Sequence, residues 1–180
     1  MLVAAAVTLA VAPQAAAPSL QARAAVRQCL SFEVAVPDSL AACRQAVAFG
    51  LPPEWSAQIR AYLARRLAAL ARWDEVIEIY RGLAAEQVGD AEWARRLGAA
   101  LLFGAARTAE AETAFREALR RDDASAESWA LLGCALAAMG HHPEAVSAFE
   151  RAESLDADCL KARPGLAEVF EAARRGETWP

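Results

Sequence analysis

The sequence predicts an all-α fold of antiparallel helix pairs, on three observations. Ala fills 48 of the 180 positions, hydrophobic residues make up 56%, and Gly and Pro number only 9 and 8, a composition that favours helix and excludes a disordered chain. A pattern of small and bulky residues recurs: Ala145-x-x-x-Phe149-x-x-Ala152 follows Ala111-x-x-x-Phe115-x-x-Ala118 by 34 positions, and Val76, Tyr80 and Leu83 stand 35 before the latter. The complementary half recurs too, with Leu97-Gly98 and Leu101 standing 35 before Leu132-Gly133 and Leu136. Each unit therefore reads as two amphipathic helices joined by a tight turn, at 104–108 and 140–143 in the later two, with a bulky side chain plugging the gap over a small one. With 23 acidic against 19 basic residues the net charge is −4, so no global field attracts nucleic acid.

Taken in order, residues 1–20 stand apart from the fold. Met1 to Ala12 is apolar and uncharged, too short to span a bilayer but of the length of a signal-peptide apolar region. Ala15–Ala17 offers a cleavage site, followed by Pro18, and Ala22 a second one; the other reading is a buried or frayed N-terminal helix. The chain is accordingly expected in an exported, periplasmic compartment, the alternative being cytoplasmic, with no stable membrane span after processing. Residues 21–56 read as an irregular helix pair, 57–90, 91–125 and 126–159 as three regular units, and 160–180 as a last helix and tail. That last helix, over 163–175, covers an apolar face otherwise left in water.

Trp129-x-x-Leu132-Gly133-x-x-Leu136, then Ala145-x-x-x-Phe149 and Ala152, resembles a tetratricopeptide repeat with Leu136 in the usual Tyr slot. Unit 91–125 departs from the pattern, since Trp93 comes one residue early and its turn carries one extra residue. Unit 57–90 keeps Leu63, Leu67, Trp73 and Tyr80, with Ala64 in the Gly slot. In 21–56, Ser39-x-x-x-Cys43-x-x-Ala46 repeats the second-helix pattern, and Ala41-Ala42-Cys43 behind an isolated Cys29 resembles exported bacterial tetratricopeptide proteins. The resemblance implies a right-handed superhelix of antiparallel helix pairs, a tetratricopeptide-like α-solenoid. It also implies a non-enzymatic scaffold that holds a protein or peptide in the concave groove. The alternative is an accessory or regulatory module of an envelope enzyme or of a polysaccharide or secretion complex.

Within that frame, Cys29 and Cys43 lie on two helices that a Pro37-Asp38 turn sets antiparallel. They are either buried thiols packing as small hydrophobes or, in an oxidising compartment, a disulfide. Cys134 and Cys159 sit too far apart along their helices to bridge easily and are expected free. His141 and His142, the only histidines, read as solvated turn residues, since a zinc site wants three or four converging ligands. No nucleophile motif points toward them and no phosphate-binding Gly loop exists, so neither enzyme activity nor a cofactor is expected. Trp55, Trp73, Trp93 and Trp129 recur near helix starts and read as repeat core.

By resemblance the first helix of each pair faces the groove. This places Arg65, Arg95, Ala99, Phe103, Ala130, Cys134 and Ala137 there, with Tyr62 nearby. Arg65 and Arg95 beside aromatics are either anchors for an acidic or C-terminal peptide or ordinary solvated arginines. Tetratricopeptide domains that clamp chaperone C-termini use Lys and Asn, and this chain has one Lys, Lys161, and no Asn.

Overall fold

The computed structural model describes residues 17–31, 36–161 and 163–177; the apolar run proposed as a signal segment lies outside them. Among the described residues every regular element is helical. Contacts divide the chain into two units, Met1–Ile59 and Arg60–Pro180.

The first unit holds α1 (Leu20–Leu30) and α2 (Val36–Ala48), which pack on each other. Ser19 starts α1 by accepting the Ala22 N–H at 3.1 Å, satisfying a donor with no partner inside the helix. The buried side of α1 carries Ala22, Ala25 and Cys29, and a disulfide joins Cys29 to Cys43 of α2. Pro37 and Asp38 do not form the turn expected of them. They lie in the first turn of α2, where a missing N–H costs nothing and an acidic side chain suits the positive helix end.

The second unit begins inside α3 (Pro53–Ala68) and continues through α4 (Trp73–Glu86), α5 (Ala91–Ala99), α6 (Thr108–Arg121), α7 (Ala126–Ala138), α8 (His142–Leu155) and α9 (Pro164–Arg174). From α4 onward each helix packs on the next, and α9 also reaches α7. Small residues make this close packing possible. A Cβ on Gly98 would stand 2.6 Å from the Phe115 ring, and one on Gly133 would stand 2.9 Å from Phe149. Phe115 and Phe149 are themselves wholly buried, so the Gly and the ring are complementary halves of one contact. Leu166, Val169, Phe170, Ala172 and Ala173 bury one side of α9, and the Phe170 ring lies 5.1 Å from that of Phe149.

One turn geometry joins α3 to α4, α5 to α6 and α7 to α8. A residue with positive φ closes it, Ala71 at 55°, Ala106 at 53° and Gly140 at 78°. The next N–H, from Arg72, Arg107 or His141, reaches back to the carbonyl of Leu67, Leu101 or Leu136 at 2.8–3.0 Å, which satisfies a helix-end acceptor. Two of the three turns span five residues, whereas Leu101 to Arg107 spans six. The extra residue is absorbed by a π-helical turn at Ala100–Gly104, where the Ala105 N–H bonds to the Ala100 carbonyl, five residues back, at 3.1 Å. Gly104 ends that turn against Trp73, whose ring would lie 2.3 Å from any added Cβ.

Polar side chains fix where the first helices start. Asp90 accepts the Glu92 N–H at 2.9 Å, and Ser125 accepts the Ser128 N–H at 3.2 Å and its hydroxyl at 2.9 Å. Arg121 ties successive repeats: its nearly buried guanidinium donates to the Ala84 carbonyl at 3.3 Å and the Asp90 carbonyl at 3.0 Å. It thereby caps the end of α4 from α6.

Candidate functional site

A groove of about 830 Å³ opens between α5, α7 and α9. Its wall on α7 is the run Glu127, Leu131, Cys134 and Ala138, spaced by four, three and four residues and hence on one helical face. On the α5 side, the π turn included, it is lined by Arg95, Ala99, Leu102 and Phe103. Leu166 and Val169 of α9 complete the apolar surface. Phe103 is 61% exposed, held out over the groove by the π turn that carries it.

One end of the groove is charged, but the charges are spent on each other. Glu127 accepts from Arg95 at 2.7 Å and from Arg163 at 2.5 Å. Arg95 also pairs with Glu92, which takes a second bond from Arg96 at 2.5 Å. The result is an alternating row, Arg96, Glu92, Arg95, Glu127, Arg163, that links α5, α7 and the start of α9. Burial works to raise the Glu92 pKa, yet the hydrogen bonds from Arg96 and Arg95 outweigh it and hold the carboxyl below its ordinary value. On the opposite wall, burial pushes the Cys134 thiol up to about 12. It stays protonated at neutral pH, whereas the thiolate is the nucleophilic form. Among the described residues no group of three His, Cys, Asp or Glu stands close enough to hold a metal ion.

The expected groove residues separate into two sets. Arg95, Ala99, Phe103 and Cys134 line this cavity. Ala130 and Ala137 are wholly buried and absent from its walls, because the groove-lining side of α7 is turned by one residue, onto Leu131 and Ala138. Tyr62 and Arg65 stand together on α3, with the Arg65 guanidinium 5.8 Å from the ring centroid, and neither reaches the groove. The Tyr62 hydroxyl is buried without a hydrogen-bond partner. Arg95, read as a possible anchor for an acidic peptide, already holds two carboxylates. Leu102, Leu131, Leu166, Val169, Glu127 and Arg163 were not singled out from the sequence. Cys134 and Cys159 are both free.

Residues 126–159 match the family model described as tetratricopeptide repeat. No curated protein matches the sequence. Among solved structures, the MamA RS-1 ArsTM double mutant superposes with a TM-score of 0.69 at 16% identity, over 89% of this chain and 92% of that one. MamA 41-end from Desulfovibrio magneticus RS-1 gives 0.67 at 16% identity, over 89% and 93%. The TPR2B domain of yeast Sti1, in its pHsp70 complex, gives 0.59 at 16% identity, over 66% and 96%. Residues 126–159 thus match a tetratricopeptide repeat, in a chain whose helices follow the tetratricopeptide-repeat fold.

Proposed function

We propose that this protein is a non-enzymatic interaction scaffold that holds a protein or peptide partner in the groove between α5, α7 and α9, in the bacterial periplasm. One observation carries the reading. A preformed apolar channel of about 830 Å³ is walled by three packed helices and flanked by an aromatic ring that is 61% exposed. A partner side chain entering it gains burial without displacing any element. Solved structures of the same fold include yeast Sti1 in complexes titled with pHsp70 and pHSP90, which supports peptide capture as the use of such a groove. The titratable groups at hand do not suit proton transfer. Glu92 and Glu127 each answer two arginines, and Cys134 remains a thiol. The apolar run at 1–12 and the Cys29–Cys43 disulfide support the exported location.

The groove selects by apolar contact rather than by a free cation, because its arginines are paired. Capture from envelope extract followed by titration calorimetry tests this. Phe103→Glu places a charge where the ligand's apolar surface would lie, and binding should weaken about tenfold or more. The fold should be unaffected, since Phe103 points to solvent. Arg120→Glu on α6, where Arg120 pairs with Glu117 on its own helix, should bind like the parent. Equal binding by Phe103→Glu and the parent removes the groove from consideration.

A further inference from the structure

A second cavity, of about 480 Å³, lies on a different side of the second unit, in the seam between α6 and α8. Trp129, Leu132 and Leu136 of α7 line it, with Arg116 and Leu119 from α6 and Glu144, Ser147, Ala148 and Arg151 from α8. The preceding seam, between α4 and α6, shows what normally happens to such charges. There Arg81 of α4 pairs with Glu78 on its own helix and also reaches Glu110 of α6 at 3.5 Å, and Arg107 grips Glu110 at 2.6 Å. Tyr80, Phe115 and Phe149 set the repeat register, so Arg116 and Glu144 are the counterparts of Arg81 and Glu110, and His141 is the counterpart of Arg107.

In the α6–α8 seam neither pairing forms. Arg116 turns to Glu112 on its own helix at 2.7 Å. Among the described residues Glu144 has no ion pair, and Arg151, the counterpart of Glu117, has none either. Both are exposed. They flank the small residues Ser147 and Ala148 on a single face of α8, seven residues and so about 10 Å apart.

That arrangement is complementary to itself. Two α8 helices laid antiparallel about a two-fold axis between Ser147 and Ala148 set each Glu144 opposite the other copy's Arg151. Ser147, small and exposed at the centre, lets the helices come close, and self-complementarity of this kind is what a two-fold interface requires. We propose that α8 is the surface through which two copies of this chain associate, with Glu144 of each paired to Arg151 of the other and the Trp129–Leu132 seam covered. The partly exposed Trp129 ring adds apolar contact, and the two ion pairs supply the complementarity and fix the register. This face is separate from the groove assigned to the partner, so the two surfaces can be tested one at a time.

The test is sedimentation velocity on the full chain over a hundredfold concentration range reaching about 100 µM. The weight-average mass should rise from one 19.2 kDa chain toward two. Arg151→Glu and Glu144→Arg each set like charges at both symmetric positions, and each should weaken self-association about tenfold or more. An equimolar mixture of the two variants should recover it, since one copy then carries two acids and the other two bases. Circular dichroism checks that both variants keep their helix content. A parent chain that is monomeric throughout overturns the proposal. So does association that both reversals leave unchanged, or association that Phe103→Glu abolishes while the reversals do not affect it.

Discussion

Replacing Gly133 by Ala should destabilise the parent protein and stabilise a Phe149→Ala variant. In the parent, the new Cβ would stand 2.9 Å from two atoms of the Phe149 ring, against a comfortable carbon–carbon separation of about 3.5–4.0 Å. Phe149 is fully buried and backed by Phe170 at 5.1 Å, so the ring has no direction in which to retreat. Overpacking of this kind costs about 1–3 kcal/mol, and the better helix propensity of Ala returns about 0.5–1 kcal/mol. The net is a loss of roughly 0.5–2 kcal/mol. Phe149→Ala alone should cost about 3–5 kcal/mol. With the ring gone the overlap vanishes, and Gly133→Ala then adds about 0.5–1 kcal/mol of stability through propensity and fills part of the cavity. Urea unfolding of the four proteins, followed by circular dichroism, gives the full cycle. The reasoning fails if Gly133→Ala has the same sign and size in both backgrounds, because the Gly would then serve something other than the ring.

Two further outcomes follow from the thiols and the carboxylates. Reducing the Cys29–Cys43 bridge, which closes a separation of 14 residues, should remove roughly 3 kcal/mol by the chain-entropy estimate. Under non-reducing conditions mass spectrometry should find that pair linked, and Cys134 should be alkylated only after unfolding because it is buried and its thiol titrates at about 12. Hydrogen bonds from Arg120 and Arg121 hold the Glu117 carboxyl at about 2, from an ordinary 4.5. A carboxyl held below its unfolded value stabilises the fold fully above pH 4.5, and that contribution is lost as pH falls toward 2. The urea midpoint should therefore drop between pH 5 and pH 3, and the drop should be smaller in Glu117→Gln; an unchanged drop assigns the acid sensitivity elsewhere.

The fold was legible because its contacts are local in register. Each ring, Phe115 or Phe149, lies 16 or 17 residues beyond the Gly it covers, and that spacing repeats along the chain where a reader can see it. The face of α7 that lines the groove was not legible. Ala130 to Ala137 are all buried, so the segment is apolar on every side and no polar residue marks its open side. Leu131 and Ala130 look alike until α9 is in place. The fate of Arg95 was hidden for a different reason. Its partner Glu127 is 32 residues away, and an ion pair between adjacent repeats leaves no periodic trace in one sequence. The outward placement of Phe103 depends on where one surplus residue is absorbed, and a count of turn length locates the surplus without saying which carbonyl it skips.

The π turn at Ala100–Gly104 has a consequence for how such a chain can change length. A one-residue insertion in a periodic stack threatens every later contact, because each helix downstream would arrive rotated by about 100°. Here the surplus is discharged within five residues, and Arg107 begins α6 with the same backbone angles as Arg72 and His141 at the other two turns. Phe115 therefore still finds Gly98. The array tolerates a frameshift of its own repeat without losing phase, and the segment that absorbs it is the one that turns an aromatic side chain toward solvent. Length variation in the family of such turns would thus alter the groove first and the core last.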